Sequence, residues 1–394
     1  MNRLTRSVAV LALIVLAGCA ARPIIKEPTV FYPGPPDPPY IQFLKSFAGS
    51  DDLEPPKSAF ARFIAGGRSR ITIIDKPFGI ATSPGKIYVC DTNATVYVLN
   101  LEKQTFQPMT EAVQGAGKVI QPVNISIDRR GNKYVTDPVR SQVVMYDKND
   151  LFVKAFGPVE GWKPTDAAPF DDLLYVADVR SFDVKIFDIE SGAYRNHIGR
   201  GSDINSQLGL PTNLAFDQEG YLYVSDPGRF QVVKLDRDGN GRGLFGTLGR
   251  TRGSFARPRG VALDRQNRLY AVDAAFNTVQ IFAPDMQLLM NFGKSGQGPG
   301  DMVLPAQVAI DYDNVKYFQQ YADPNFQIEY LILVTNQFSP RRINVYGFGK
   351  MKGQAYKSDE QLLKELKESM EKQEKADAQK QQGEKPAEAP PKKD

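Results

Sequence analysis

The stretch PTNLAFDQEGYLYVSDPGRFQVVKLDRDGNGRGLFGTLG, residues 211–249, contains one complete copy of a pattern that recurs six times. A proline opens a short apolar strand, a turn follows, and a second strand runs from a tyrosine to an aspartate three residues later. The six copies open 42 to 47 residues apart, at Pro77, Pro122, Pro164, Pro211, Pro258 and Pro305. A fixed period in this range is typical of propeller blades or solenoid units.

Each copy supplies three strands, and the segment before the next opening proline supplies a fourth, with no helix between them. A third strand such as 279–282 follows the aspartate, and fourth strands are predicted at 151–156, 194–198, 243–247 and 287–292. Gly and Asn residues that tolerate positive φ lie where hairpin turns are needed. The pattern therefore predicts an all-β chain with one domain, a six-bladed β-propeller spanning residues 41–350.

The repeats resemble those of the NHL family, within the NHL/TolB-like class of six-bladed propellers. Residues 211–249 and 258–300 carry the resemblance most completely, through the opening proline, the Tyr-to-Asp strand and a Phe-Gly-x-x-Gly motif. The resemblance covers roughly residues 60–350 and implies an architecture. It implies little about activity, since propellers support many unrelated functions.

A ring of blades must close, because its first and last sheets otherwise leave open edges. The last repeat ends near 342–346 without a fourth strand, while residues 41–47 precede the first repeat and have the alternation of a strand. We expect residues 41–47 to form the outer strand of the last blade.

The N-terminus has the layout of a bacterial export signal. Arg3 and Arg6 precede an apolar run at 8–16, which is too short to span a bilayer and remain there. Leu16-Ala-Gly-Cys19 resembles the lipobox of bacterial lipoproteins, which implies a signal peptide at 1–18 and a lipid on Cys19. An ordinary cleaved signal that happens to contain a cysteine is the alternative.

Outside the propeller, two segments differ in composition. Residues 19–40 are proline-rich and are predicted to be an extended linker, and residues 351–394 form a charged tail whose first part is helical. Leu362, Leu363 and Leu366 make one short apolar stripe on that helix, either solvated or docked on the domain or a partner. Ala20 follows the cysteine, so we expect a lipid anchor in the outer membrane.

Several functional classes are disfavoured by composition. The formal net charge of +4 is too small for this chain length to indicate nucleic-acid binding. The single histidine, His197, lies in a predicted outer strand, which excludes multi-histidine zinc sites and His-dependent triads. If Cys19 carries lipid, Cys90 is the only thiol, and its place in a strand predicts a packed side chain.

One candidate site is a polar collar at the start of the first strands. Two residues after each opening proline stand Gly79, Asn124, Asp166, Asn213, Gly260 and Gln307. In a propeller these positions should surround the central channel. Lactonase-like propellers hold a divalent cation near this place, so Asp166 with Asn124 and Asn213 is a candidate for such a site; a hydrated polar lining is the alternative.

A second candidate site is basic. Arg140, Arg229 and Arg259 should lie on the same face as the collar, with Trp162 in a loop at its rim. These arginines either pair with the repeated aspartates that close the second strands or bind an anionic partner such as an acidic glycan, a lipid head group or a protein carboxylate. The aspartates themselves are expected to accept hydrogen bonds from backbone N–H groups of the following turns.

A third candidate site is an aromatic insertion in the sixth repeat. Pro305 and Asn336 are 31 residues apart, whereas the other repeats need 14 or 15. Tyr321 and Phe326 lie in the extra segment, on the face opposite the arginines. They either form an exposed interaction surface or pack within a longer hairpin.

The sequence therefore favours a lipid-anchored envelope protein that acts as a non-catalytic binding or assembly scaffold. Its expected partners are the membrane, through the anchor, and an envelope protein or anionic glycan. No cofactor is required by this interpretation. The main alternative is a metal-dependent hydrolase or lyase that uses a divalent cation at the Asp166 collar, and a third class is a structural spacer without a ligand.

Overall fold

The computed structural model describes residues 28–55, 71–93, 95–364 and Glu368. Within them the chain forms six antiparallel sheets, one for each repeat. The first strand of each sheet contacts the first strands of the two neighbouring sheets, so the sheets form a closed ring. The predicted six-bladed, all-β propeller is confirmed.

The blades follow one another along the chain, and each is built from the centre outward. The strands of blade 1 are Pro77–Ser83, Lys86–Asp91, Val96–Asn100 and Thr105–Pro108, and those of blade 2 are Asn124–Ile127, Lys133–Asp137, Gln142–Tyr146 and Phe152–Phe156. Those of blade 3 are Pro164–Phe170, Leu173–Asp178, Asp183–Asp188 and Tyr194–Ile198, and those of blade 4 are Asn213–Phe216, Leu222–Asp226, Gln231–Leu235 and Gly241–Phe245. Blade 5 contains Pro258–Leu263, Leu269–Asp273, Thr278–Phe282 and Leu288–Phe292. The outer strand of blade 4 begins two residues before the expected position.

Blade 6 combines the two ends of the domain. Its first three strands are Pro305–Asp311, Phe326–Asn336 and Ile343–Met351, and its fourth is Ile41–Phe47, which pairs antiparallel with the third. The segment 41–47 thus occupies the expected place, but it is not outermost, because Val30–Tyr32 adds a fifth strand.

Residues assigned to the linker and the tail also join this blade. Phe31 packs against Phe326, and the Tyr32 ring contacts Phe292. On the C-terminal side, residues 359–364 are helical, and Leu362 and Leu363 pack against the core of blades 5 and 6. Docking on the domain is therefore what the structure shows for these two leucines; Leu366 lies outside the described residues.

The core lies between the blades. The second strands are almost fully buried, because each blade packs both of its faces against neighbours. Their tyrosines are among the largest fully buried side chains: Tyr88, Tyr134, Tyr175, Tyr223, Tyr270 and Tyr330. Cys90 is buried in this layer, where burial raises the pKa of its thiol, as expected of a packing residue.

Helical structure in the described residues is short. One-turn α-helices span Thr110–Val113 and Val315–Phe318, and 3-10 turns span Ser50–Asp52, Ile204–Ser206 and Gln319–Tyr321. None of the helices in the described ranges is long and apolar enough to cross a membrane. The predicted signal peptide and Cys19 lie outside the described residues.

Candidate functional site: the two ends of the central channel

The propeller has two faces, which differ in the loops they carry. We call the collar face the one where the first strands begin and the loops from outer to inner strands lie. The hairpin face carries the turns between first and second strands, such as 128–132, and between third and fourth strands, such as 236–240. The central channel runs between these faces.

The repeated aspartates organise the collar face. Asp137 accepts hydrogen bonds from the backbone N–H groups of Ile120 and Gln121, which precede the first strand, and of Val139 and Arg140 in the following turn. Asp91, Asp178, Asp226 and Asp273 make the same kind of bridge between a loop and a turn. The expected structural role is observed, with the preceding loop as an additional partner.

The collar residues sit where the first strands are irregular. The pairing register shifts between Pro164 and Asp166 in blade 3, and the corresponding shifts in blades 5 and 6 include Gly260 and Gln307. Proline cannot donate to the sheet ladder, and a bulge redirects the side chains near it. In blades 2 and 4 the collar residue is instead the first residue of its strand.

The collar side chains bond to neighbouring blades. Asp166 Oδ2 of blade 3 accepts from Leu214 N of blade 4 at 2.8 Å. Gln307 Nε2 of blade 6 donates to Asn124 Oδ1 of blade 2 at 3.4 Å, reaching past blade 1. The backbone also joins blades here, since Gly79 N donates to Val123 O at 3.0 Å. The collar is therefore a packed polar ring.

The two collar glycines make this packing possible. A methyl group on Gly79 would lie 2.4 Å from Asn124 Oδ1, and one on Gly260 would lie 2.0 Å from Gln307 Oε1 and 2.4 Å from Gln307 Cα. Any side chain at either position would thus overlap the neighbouring first strand.

The collar does not fit a divalent cation. Asp166 is its only carboxylate; both oxygens accept backbone N–H groups, and burial, which disfavours the charged form, raises its pKa to about 8. Asn124 Oδ1 is occupied by Ile125 N and Gln307 Nε2, and the buried Nδ2 groups of Asn124 and Asn213 are donors, which do not bind cations. Among the described residues no three His, Cys, Asp or Glu side chains are grouped to hold a metal ion.

The guanidinium groups of Arg140 and Arg229 do not pair with the repeated aspartates. The guanidinium of Arg140 donates to the carbonyl oxygens of Ala116 and Lys118, and that of Arg229 donates to those of Ile204 and Gln207. Only the backbone N–H groups of these arginines contact the repeated aspartates. Their side chains hold the loops of the collar face in place.

Arg259 and Trp162 are also engaged within the protein. Arg259 donates to Gln337 Oε1 at 3.1 Å and lies over the Phe78 ring, and burial lowers its pKa to about 10. Trp162 lies in a loop of the collar face, as expected, but its side chain is 4% exposed, packs against Phe187, and donates from Nε1 to Ser141 O.

The aromatic insertion packs on the domain. Phe326 is 1% exposed and belongs to the core between blades 6 and 1, so of the two alternatives it shows the packed one. Tyr321 is half-buried against the same core, and its hydroxyl accepts from Lys45 Nζ at 3.2 Å. The insertion is thus a longer hairpin that packs on itself and on Ile41–Phe47.

The open end of the channel is on the hairpin face. A cavity of about 1020 Å³ lies there among blades 2 to 6. We call it the funnel. Its apolar wall consists of half-buried side chains at the ends of the first strands: Ile127, Phe170, Phe216, Leu263 and Ile310, with Tyr312 beside them. Arg129, Arg130 and Arg265 line it from the hairpins that follow.

The funnel has a signal in the sequence that none of the three candidate sites above includes. In four repeats an apolar residue stands three positions after the collar residue, at Ile127, Phe216, Leu263 and Ile310. Two of them are followed by Asp-Arg, at 128–129 and 264–265. An apolar residue at the end of a first strand, followed in the sequence by Asp-Arg, therefore marks the mouth of the channel opposite the collar.

Comparisons with known proteins extend only to the fold. No family model matches the chain, and no curated protein matches it in sequence. A protein of unknown function from Bacteroides thetaiotaomicron has a similar structure, with a TM-score of 0.53 and 13% identity over 77% of this chain and 75% of that one. Virginiamycin B lyase from Staphylococcus aureus gives a TM-score of 0.47 and 12% identity over 69% of this chain and 94% of that one. At such identities a likeness concerns the fold alone.

Proposed function

We propose that this chain is an exported, NHL-type propeller, anchored by lipid on Cys19, that acts as a non-catalytic binding or assembly module of a bacterial cell envelope. Its partner is an envelope protein or an anionic glycan, and its binding surface is the hairpin face. We propose the outer membrane as the site of anchoring because Ala20 follows the cysteine.

The observation that supports this role is the unequal use of polar groups on the two faces. On the collar face, the side chains of Asp166, Arg140 and Arg229 form hydrogen bonds with backbone groups of the protein itself. General acid–base catalysis needs a positioned group within reach of a substrate proton. The funnel instead offers apolar side chains and charged groups in an open cavity, which suits recognition.

The anchor is tested by fractionation of cells that produce the full chain. Wild-type protein should remain with the membranes, and Cys19→Ser should move to the soluble fraction, because the acyl chains supply the membrane affinity. A Cys19→Ser variant that stays with the membranes would contradict the anchor.

The binding role is tested by photo-crosslinking in cells. A photoreactive residue replaces Gln218 at the funnel or, as the matched control, Arg250, which is exposed in a collar-face loop. We expect one defined adduct with an envelope component from position 218 and none from position 250. Equal adducts at both positions, or none at either, would overturn the proposal. So would a stoichiometric divalent cation in purified protein that is lost in Asp166→Asn.

A further inference from the structure

The funnel combines an apolar wall with a charged rim. Five blades contribute its wall, and its volume of about 1020 Å³ is at the upper end of small-molecule sites, which are commonly about 300–1,000 Å³. The Phe170 and Phe216 rings contact each other in this wall, tilted by 31° with ring centroids 4.6 Å apart. A molecule with an apolar body is therefore complementary to the wall.

Two guanidinium groups at the rim have no carboxylate partner among the residues described. Arg129 is exposed in the hairpin of blade 2. Arg265, in the hairpin of blade 5, lies 3.9 Å from the centroid of the Tyr312 ring, which orients it without neutralising its charge. Blades 2 and 5 are opposite each other in a ring of six, so the two cations lie on opposite sides of the funnel.

The carboxylates that line the funnel are already engaged. Asp171 pairs with Arg237 at 3.1 Å, and Asp172 pairs with Arg130 at 3.2 Å.

The remaining three carboxylates hold the hairpin turns. They accept hydrogen bonds from backbone N–H groups of the turns, and they belong to Asp128, Asp217 and Asp264. Asp217 and Asp264 also form ion pairs, with Lys234 at 3.4 Å and with Arg268 at 2.6 Å. Among the described residues this leaves Arg129 and Arg265 without an ion pair against one such carboxylate, that of Asp128. The unpaired charge of the funnel is therefore positive.

We infer that the funnel binds an amphipathic organic acid, with its apolar body against Phe216 and Leu263 and its acidic group on Arg129 or Arg265. The inference rests on the binding role proposed above and gives that role a ligand class. A guanidinium binds a carboxylate, sulfonate or phosphate through charge-assisted hydrogen bonds, which are strengthened beside an apolar surface. Neutral apolar molecules would use the wall alone.

The test uses two fluorescent probes with the same ring system. Anilinonaphthalene sulfonate carries an acidic group, and phenylnaphthylamine is its uncharged analogue. Each is titrated into the full chain carrying Cys19→Ser, so that neither detergent nor vesicles compete for the probe. Arg129→Ala/Arg265→Ala is compared with Arg250→Ala, an exposed arginine on the collar face.

We expect the double variant to weaken binding of the sulfonate by about tenfold or more and to leave the uncharged probe unaffected. Arg250→Ala should change neither. An unchanged sulfonate affinity in the double variant, or an equal loss in Arg250→Ala, would refute the inference. Because both arginines are on the surface without ion pairs, the variants should fold, which a melting curve verifies.

The two proposals fail separately. If the sulfonate depends on Arg129 and Arg265 but position 218 yields no envelope adduct, the funnel is a ligand site and the scaffold role is wrong. If position 218 yields a defined adduct but the double variant binds the sulfonate probe as tightly as wild type, the scaffold role stands and the ligand class is wrong.

Discussion

The two ends of the central channel are formed by the same six first strands but differ in how their polar groups are satisfied. At the collar, neighbouring strands contact directly, and Asp166 and Gln307 bond across blades. At the hairpin face, a cavity separates the strand ends, and Arg129 and Arg265 remain available. The polar groups of the collar are therefore used in internal bonds, whereas the hairpin face carries the cavity for which we propose a binding role.

The strongest test of the closed collar is Gly260→Ala. Its methyl group would lie 2.4 Å from Gln307 Cα and 2.8 Å from Ala306 O, which are backbone atoms that cannot move without shifting blade 6. Overpacking of this kind costs about 1–3 kcal/mol and sometimes more, and we expect a loss of about 3 kcal/mol in the free energy of unfolding.

Chemical denaturation measures this loss. Gly34→Ala is the control, because no heavy atom lies within 4 Å of a methyl group there. Equal stability of both variants would mean that blades 5 and 6 are not in close contact at the collar.

The second comparison concerns arginines on the two faces. Arg140→Ala/Arg229→Ala removes guanidinium groups that hold loop carbonyl oxygens, so we expect a loss of about 1 kcal/mol for each half-buried side chain. Arg129→Ala/Arg265→Ala should change the free energy of unfolding by no more than about 0.5 kcal/mol, since neither side chain has an ion pair among the described residues. Thermal melting distinguishes the two pairs. A greater loss in the funnel pair would show that its arginines are structural.

The fold was predictable because it depends on local, repeated signals. Each opening proline and each aspartate at the end of a second strand recurs at a fixed place, and the repeated aspartates determine how loops and turns meet. The strand 41–47 was also predictable, since closure of the ring requires one more strand and that segment has the right alternation.

The candidate sites were less predictable because they depend on how closely separate blades approach. Trp162 is buried because Gly157, which has no side chain, leaves room for its ring: a methyl group on Gly157 would lie 2.3 Å from Trp162 Cζ2. The collar residues lie near the starts of the first strands, and their side chains turn toward neighbouring blades because Gly79 and Gly260 leave room for them. The sequence pattern predicts the place of a residue in its strand, but it does not determine how closely neighbouring blades approach each other.

The last comparison concerns two aspartates, Asp166 at the collar and Asp188 at the hairpin-face end of the third strand of blade 3. Burial raises the pKa of Asp166 at the collar to about 8. At the hairpin face, the pKa of Asp188 lies below its usual range because the carboxylate accepts the Ser191 N–H.

A carboxyl whose pKa is raised by folding contributes to the free energy of unfolding. Its contribution is complete below the unfolded pKa near 4 and is lost as the pH rises through about 8. A lowered pKa gives the opposite sign: the contribution of Asp188 to the free energy of unfolding is present above the usual pKa range of an aspartate and is lost only as the pH falls below that range.

Asp166→Asn should therefore be less stable than wild type by about 1 kcal/mol near pH 5, because its amide can accept only one of the two backbone N–H groups. Near pH 9 the difference should vanish or reverse, since the wild-type carboxylate is then charged and buried. Melting temperatures across this range provide the measurement, with Asp188→Asn as the control whose difference from wild type stays constant between about pH 5 and pH 9. A constant difference for Asp166→Asn as well would show that water reaches the collar, and the two ends of the channel would then be alike in their access to solvent.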